Sequence, residues 1–356
     1  MRPRKPTLDD VARLARVSKS AASRILRTRP GERSPYDPNT RERVRRASQT
    51  LGYVPSRLAQ GLTHARTGII GLTIPSIEDS FFPAVTAVIE NRLAERGFNL
   101  ILADTGGRTE IERKKVEDML AWRVDGLIAA PCQESSDPAF FWELWLKKIP
   151  FVLIDRTFPG TPFASVTTDD RPGAAAVIDH MIARGCRRIA RAGGPLSVDT
   201  NRLREEGFRE SLARHGLAFD PLLALDVPQT ASFDGGRQAA AKLFALDEPP
   251  DGIFCFSDRI AAGVIEECLT RGVRIPEDVA VAGYADLDYS GLLRVPLTTV
   301  RQSKRLLGTT AADMLLKLLE EGPAAGSRTV LPVELILRES TAGKKPAAEP
   351  GTRGRS

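Results

Sequence analysis

Residues 7–26, TLDDVARLARVSKSAASRIL, decide how the N-terminal part of the chain folds. Thr7 followed by Asp10 matches a capping box, in which each side chain bonds the other residue's backbone amide at the start of a helix. Ser18 is placed to cap a second helix, which the apolar spacing predicts from Lys19 to Leu26. Two short helices joined by a tight turn predict a helix-turn-helix.

A third helix is predicted after residues 27–36, a loop rich in Arg, Pro and Gly. Asp37 is placed as its N-cap, and Pro38 stands at the first helical position, where its missing N–H costs nothing. Gly52 ends the apolar pattern and is typical of the position just after a helix. The head of the chain is therefore predicted to be a small all-α domain.

Charge is distributed unevenly along the 356 residues. Residues 1–66 contain 16 Lys and Arg but 5 Asp and Glu, whereas residues 67–356 contain 35 and 40, so the head carries +11 and the body −5. A basic head favours an anionic polymer or an anionic surface as partner, because Lys and Arg neutralise phosphates. A solvated basic tail is the alternative.

Beyond the head, apolar runs bounded by Pro, Gly or Asp alternate with amphipathic stretches. The runs are 68–74, 98–103, 126–130, 151–154, 188–192, 252–256 and 279–282, and the amphipathic stretches are 83–96, 108–122, 174–184, 203–215, 235–246 and 260–271. Strands alternating with helices predict parallel sheets covered by helices on both faces. A body of this length favours two such α/β lobes with a cleft between them.

Few signals point to catalysis, metal binding or export. The cysteines are scattered, without C-x-x-C spacing, and are expected to be buried in a reducing compartment. Nucleophile-elbow, Walker A and dinucleotide-binding motifs are absent, and the three histidines are isolated, so no enzyme, metal or cofactor is predicted. Neither a signal peptide nor a membrane span is recognisable, so a cytoplasmic location is predicted.

Short sequence motifs are distributed along the whole chain. In the head they are residues 7–26 as quoted, TRERV at 40–44 and LGYVP at 51–55; in the body they are IGL at 70–72, VDGLI at 124–128, IDR at 154–156, GGP at 193–195, REEGF at 204–208, PLTTV at 296–300 and LPV at 331–333. Together these motifs resemble the lac repressor (LacI/GalR) family of bacterial transcriptional regulators. The resemblance covers residues 7 to about 340. It implies an N-terminal all-α helix-turn-helix domain followed by a two-lobed α/β core like that of periplasmic binding proteins.

The resemblance also implies where the domains divide. The helix-turn-helix domain is expected at 1–54, a hinge helix and linker at 55–66, the effector-binding core at 67–340 and a disordered tail at 341–356. Within the core, lobe 1 is expected to comprise 67–167 and 301–328, and lobe 2 to comprise 168–300 and 329–340.

The DNA-binding residues follow from the resemblance as well. The second helix is expected to enter the major groove and read bases, and Leu62 of the hinge helix to wedge between base steps in the minor groove. Arg24 has the alternative of a phosphate clamp, and Leu62 that of packing on the lobe below. The implied base readers are Lys19, Ser20 and Arg24; the implied phosphate contacts are Thr7, Ser18, Ser23 and Tyr53.

The family's ligand cleft implies a second set of residues. Aromatic faces beside carboxylates and an Arg suit a sugar ring, whose hydroxyls bond charged groups while its C–H faces stack. Phe81 and Phe82 have the alternative of core packing, and Asp155 with Arg156 that of an internal ion pair. Ala285 stands where the family usually has an Asp, which leaves the effector open. The implied effector-binding residues are Asp79, Phe81, Phe82, Asp155, Arg156, Arg204, Ser257 and Gln302.

Together these observations predict a ligand-responsive repressor that binds a pseudo-palindromic operator as a homodimer, with a sugar or sugar derivative as effector. No heptad-bearing helix follows Leu337, which favours a dimer over a tetramer. The alternative is a periplasmic-type sugar-binding protein, which would explain the body but not the basic head.

Overall fold

The computed structural model describes residues 4, 6–28, 34–54, 66–78, 80–135, 137–228, 232–322 and 327–342. The chain divides into two units between Gly68 and Ile69. All four cysteines are free and buried, as expected. None of the described helices combines the length and the apolar composition that a bilayer span requires.

Three helices are described in the N-terminal unit: α1 (Leu8–Ala15), α2 (Lys19–Arg27) and α3 (Pro38–Leu51). The predicted caps are confirmed. Asp10 N–H donates to Thr7 Oγ1 at 3.4 Å while Thr7 N–H donates to Asp10 Oδ2 at 2.9 Å. The Ser18 hydroxyl accepts from the backbone of α2, the Asp37 carboxylate accepts from that of α3, and Gly52 ends α3 at φ +62°.

A small apolar cluster holds these three helices together. Arg16 adopts a left-handed conformation (φ 52°) directly after α1, which turns the chain sharply enough for α2 to pack against α1 and α3. The side chains facing inward are mostly small, so the helices approach closely. The buried members are Val11, Ala12, Ala15, Ala22, Ile25, Val44 and Ala47.

The second unit begins with a six-stranded parallel sheet, the first sheet, in the order β11-β5-β4-β3-β1-β2. Successive side chains of its strands enter opposite apolar clusters, as a sheet covered on both faces requires. The strands are β1 (Ile69–Ile74), β2 (Asn99–Asp104), β3 (Gly126–Ala129), β4 (Phe151–Ile154), β5 (Ser165–Thr168) and β11 (Arg328–Leu331). Its helices are α4 (Phe81–Ala94), α5 (Thr109–Ala121), α6 (Ala139–Leu146) and α11 (Lys304–Glu321).

A four-stranded parallel sheet, the second sheet, has the order β7-β6-β8-β9. Two apolar clusters cover it, one under α7 and α8 and one under α9 and α10. The strands are β6 (Ile189–Gly193), β7 (Ala224–Asp226), β8 (Gly252–Cys255) and β9 (Ala280–Ala282). The helices are α7 (Asp170–Ala183), α8 (Asp199–Arg214), α9 (Ser232–Leu243) and α10 (Asp258–Thr270), and short 3-10 turns span Pro221–Leu223 and Glu339–Thr341.

The chain passes between the two sheets more than once. β5 of the first sheet leads directly into α7 of the second, and β10 (Thr299–Gln302) leads back into α11. β10 pairs antiparallel with β12 (Val333–Ile336). β11 pairs with β5 up to Leu331, so the first sheet extends past residue 328, where the resemblance places the end of lobe 1.

Helices α9 and α10 lie in backbone contact because glycine occupies both sides of their crossing. A methyl group on Gly263 would overlap the carbonyl oxygen of Phe233, and one on Gly236 would overlap that of Ile260. A backbone carbonyl cannot rotate away as a side chain can. These two glycines therefore set the spacing of the helix pair.

We expect Gly263→Ala to lower the free energy of unfolding by about 1–3 kcal/mol, because overpacking against backbone outweighs the gain of ~1 kcal/mol in helix propensity. Thermal and denaturant unfolding of the purified protein measure the change. Gly291→Ala is the matched control, since the nearest atom to its added methyl group, Arg338 Nε, lies 3.5 Å away. Equal stability of the two variants would contradict the role given to Gly263.

Candidate nucleic-acid interface and ligand cleft

The outer face of α2 presents polar side chains that the apolar cluster does not use. Lys19, Ser20 and Arg24 are exposed, and Ser23 is half-buried. Lys19 Nζ lies 2.8 Å from Asp9 Oδ2 at the start of α1, so the ammonium group is held beside the first turn of α2. An Arg or Lys on an exposed helix of this size can reach guanine O6 and N7 in a major groove.

Three of the four predicted phosphate contacts lie at the ends of these helices. Ser18 is exposed, and its hydroxyl both caps α2 and lies 3.0 Å from the Ser20 hydroxyl. The Thr7 hydroxyl donates to Asp10 Oδ2 at 2.7 Å. Tyr53 is half-buried against the apolar cluster, just after α3. Leu62 and residues 29–33 of the loop lie outside the described residues.

A cavity of about 240 Å³ lies between the two sheets, at the carboxyl ends of their strands. Loops at this edge can carry polar groups toward a ligand because the strands beneath them hold the backbone rigid. Asp79 lies outside the described residues, and the structure brings the other predicted effector residues together around the cavity. These are Phe81, Phe82, Asp155, Arg156, Arg204, Ser257 and Gln302.

Arg204 forms the charged floor of the cavity from the first half of α8. Its guanidinium lies 2.8 Å from Asp170 Oδ1 and donates to the Phe256 carbonyl oxygen at 2.6 Å and to Gln302 Oε1 at 3.4 Å. The Tyr284 ring lies 3.8 Å from the guanidinium carbon. Asp170 begins α7 directly after β5 of the first sheet, Phe256 follows β8 of the second sheet and Gln302 ends β10, so one buried cation joins three separate elements.

Asp155 faces the same space from the end of β4. It adopts a left-handed conformation (φ 65°), which turns its carboxylate out of the sheet. Arg156 Nε lies 3.4 Å from Asp155 Oδ2, so the internal ion pair and the cavity position coexist. Gln302 Nε2 donates to Thr168 Oγ1 at 2.7 Å and reaches Asp155 Oδ1 at 3.5 Å.

The remaining predicted residues combine structural and lining roles. Phe81 and Phe82 belong to the apolar cluster under the first sheet and meet edge to face, with ring centroids 5.2 Å apart, yet both line the cavity. The Ser257 hydroxyl accepts from Ile260 N–H at 3.2 Å and caps α10. Ala285 also lines the cavity, with φ 117°. The core packing of the two rings therefore does not remove them from the cleft.

Sequence reasoning missed several cavity residues that also follow strands. Asp104 ends β2, Tyr284 comes shortly after β9, and Asn201 lies in the first turn of α8 after β6. Glu78 and Arg259 approach from opposite sides of the cleft and form an ion pair at 3.5 Å. Inspecting the residues after every predicted strand would have identified Asp104 and Tyr284.

A second contact between the sheets lies beside the cavity. Gln133, which follows β3, accepts from Asp199 N–H at the start of α8 at 2.8 Å and donates to the Thr157 carbonyl oxygen at 2.8 Å. Thr157 N–H in turn lies 3.4 Å from Asp199 Oδ2. The lobes are thus joined by polar side chains as well as by the chain crossings.

Burial perturbs two carboxyl groups in and behind the cleft. Desolvation raises the pKa of Asp155 to about 6, although the adjacent Arg156 opposes the shift. Glu112, in α5, is buried behind the cleft and close enough to Arg156 to interact with it; desolvation raises its pKa to about 7. Hydrogen bonds from Cys132 N–H (3.0 Å) and the Thr73 hydroxyl (3.2 Å) reach the Glu112 carboxylate.

Comparison with known proteins follows the same division of the chain. Residues 7–56 match the family described as bacterial regulatory proteins, lacI family, and residues 178–341 match the periplasmic binding protein-like domain. The ribose operon repressor of Halalkalibacterium halodurans is 31% identical over 95% of this chain and 97% of its own length. That of Bacillus subtilis is 32% identical over 94% and 98%.

Two solved structures extend the comparison to three dimensions. The lac repressor dimer bound to operator and the anti-inducer ONPF is 29% identical, with a TM-score of 0.83 over 96% of this chain and 100% of that chain. A complex of the transcriptional regulator CelR with cellobiose is 30% identical, with a TM-score of 0.70 over 94% and 99%.

We expect the contribution of Glu112 to the free energy of unfolding to fall as the pH rises from about 4.5 to 7, because burial raises its pKa from the ordinary 4.5 to about 7 in the folded chain. Glu112→Gln removes the charge, while its amide oxygen can accept from Cys132 N–H and its amide N–H can donate to the Thr73 hydroxyl oxygen. It should raise the free energy of unfolding by on the order of 2 kcal/mol at pH 8, and by much less at pH 5.

Denaturant unfolding at the two pH values measures this difference. Glu210→Gln is the control, because it makes the same substitution at a carboxylate that is exposed on α8 rather than buried. An equal change in the free energy of unfolding at pH 5 and pH 8 would contradict the raised pKa of Glu112.

Proposed function

The chain belongs to the lacI family of bacterial regulatory proteins, and from that premise we propose that it represses transcription as a homodimer on a pseudo-palindromic operator, with a sugar or sugar derivative as effector. It is a transcriptional regulator with an N-terminal DNA-binding domain and a ligand-binding domain. One observation carries the effector assignment: aromatic rings, carboxylates and guanidinium groups from distant parts of the chain converge on a single cavity. The lac repressor dimer bound to operator and the CelR–cellobiose complex support the two halves of the proposal.

In the proposed complex with DNA, α2 lies in the major groove. Lys19, Ser20 and Arg24 read base edges, because they are the exposed polar side chains on its outer face. Two such helices in a homodimer contact half-sites about one helical turn apart. Thr7, Ser18, Ser23 and Tyr53 bind phosphates, and Leu62 wedges between base steps at the operator centre.

The effector acts through the cleft because the cleft joins both sheets. A ligand that bonds Asp155 from the first sheet and Arg204 from the second changes the balance between two orientations of the lobes. That change alters the separation of the hinge segments and hence DNA affinity, and the coupling is reciprocal. The effector is released unchanged, so the proposal includes no catalytic step.

The remaining assignments follow from this role. We propose that the DNA-binding domain spans 1–54, the hinge and linker 55–66 and the core 67–341. The core then ends one residue beyond the predicted end at 340, because Thr341 is buried in the 3-10 turn Glu339–Thr341, and the proposed tail is 342–356. Because a repressor acts on chromosomal DNA, the proposed location is the cytoplasm. A transport-type sugar-binding protein is disfavoured, because residues 7–56 match a family of DNA-binding regulators.

We expect Arg24→Ala to weaken binding to the specific operator by about 10- to 100-fold and binding to random DNA by much less, since a bidentate guanine contact is worth about 1–3 kcal/mol. The operator is first isolated by in vitro selection with the full-length protein, and both affinities are measured by fluorescence anisotropy. Lys115→Ala, an exposed cation on α5, is the control. Equal losses on both DNAs would make Arg24 a phosphate clamp instead.

We expect at least one sugar or sugar derivative to raise the melting temperature and to change operator affinity, because a ligand stabilises the state that it binds. Asn201→Ala should weaken that ligand about tenfold by removing a polar group that lines the cavity. Asn91→Ala, exposed on α4, is the matched control. If no sugar or sugar derivative changed either property, the effector assignment would fail.

A further inference from the structure

We infer that the effector carries no negative charge: the cleft is built for an unphosphorylated, uncarboxylated sugar and excludes sugar phosphates and sugar acids. This inference rests on the proposed function, since it takes the cleft as the effector site. It depends on the charges and hydrogen-bond donors that line the cavity, and on what each of them already binds.

Three guanidinium groups line the cavity, and each already has a carboxylate partner. The Arg204 guanidinium lies 2.8 Å from Asp170, and Arg156 lies 3.4 Å from Asp155. Arg259, at the start of α10, lies 3.5 Å from Glu78 across the cleft. An anionic ligand would have to displace one of these carboxylates or remain beside it.

Of the three carboxylates in the lining, Glu78 and Asp155 are ion-paired, whereas Asp104 has no cationic partner among the described side chains. Asp104 accepts hydrogen bonds from Ile77 N–H at 2.9 Å and Gly106 N–H at 2.7 Å, and it forms no ion pair. The described lining and its direct partners therefore sum to a net negative charge. This net negative charge opposes the binding of an anionic ligand in a partly desolvated cavity.

Backbone amides at helix N-termini are the other usual donors to a phosphate. Around this cleft, side chains already occupy several of them. Thr109 N–H of α5 donates to Glu134 at 2.6 Å, Asp199 N–H of α8 to Gln133 at 2.8 Å, and Ile260 N–H of α10 to Ser257 at 3.2 Å. A phosphate would find these three donors taken.

Neutral hydroxyl groups fit the same surroundings without breaking any pair. A hydroxyl can donate to a carboxylate of Asp104 or Asp155 and accept from a guanidinium, since ion-paired groups keep free lone pairs and N–H bonds. The apolar C–H face of the sugar can lie against Phe81 and Phe82. The cleft thus selects a polyhydroxy ligand by many weak polar contacts rather than by one charge.

The test compares matched ligands on the full-length protein at low ionic strength. A panel of neutral aldopentoses and aldohexoses, each paired with its phosphate and its sugar acid, is screened by thermal shift and titrated by calorimetry. We expect a neutral sugar to bind at least tenfold more tightly than its phosphate and its acid. A phosphate or acid that binds more tightly than its parent sugar would overturn the inference and leave the proposed function standing. Absence of binding by every member would overturn both.

A charge variant tests the physical cause. Glu78→Gln removes the partner of Arg259, so the ratio of phosphate to neutral-sugar affinity should rise about tenfold. Glu210→Gln is the matched control, because that carboxylate pairs with Arg171 at 2.8 Å on helices α7 and α8 and does not line the cavity. An unchanged affinity ratio in Glu78→Gln would show that charge balance does not select the ligand.

Discussion

The buried guanidinium of Arg204 constrains much of the second unit. A buried cation costs several kcal/mol unless it is paired and hydrogen-bonded, so each of its partners must stand in place. Those partners begin α7, follow β8 and end β10, and the Tyr284 ring after β9 lies against the cation. Because β5–α7 and β10–α11 are also where the chain crosses between sheets, the floor of the cleft and the joint between the sheets share residues. A ligand that contacts this floor therefore acts directly on the joint.

The N-terminal unit is held together by a much smaller apolar cluster than the second unit. Its apolar cluster consists largely of alanine and valine side chains, and side-chain caps begin all three helices. The outer face of α2 takes no part in that cluster. Its polar residues can therefore serve DNA recognition without loss of packing, and the positive charge of the head favours the same partner.

Much of the fold followed from local patterns. The caps at Thr7, Ser18 and Asp37 and the alternation of apolar runs with amphipathic stretches correspond to elements in the structure. The sequence patterns missed the helices α6 and α11 and the strands β5, β7, β10, β11 and β12. α6 has one charged residue, Glu143, among apolar ones and so shows little helical periodicity, whereas β5, SVTT, is buried although polar. β10 and β12 are short strands that pair with each other, so a neighbour distant in sequence decides their structure.

The sequence by itself determined the order of the domains, the caps, the uneven charge and the cleft residues that directly follow strands, because each of these depends on neighbours along the chain. Only the tertiary structure decided which charges meet. Gln302 and Asp155 approach across 147 residues, and Arg259 pairs with Glu78 from the other side of the cleft. The tertiary structure also placed Phe81 and Phe82 both in the core and in the lining of the cavity. A cleft formed by the ends of two sheets brings together residues that no local pattern relates, so its charge balance depends on the folded chain.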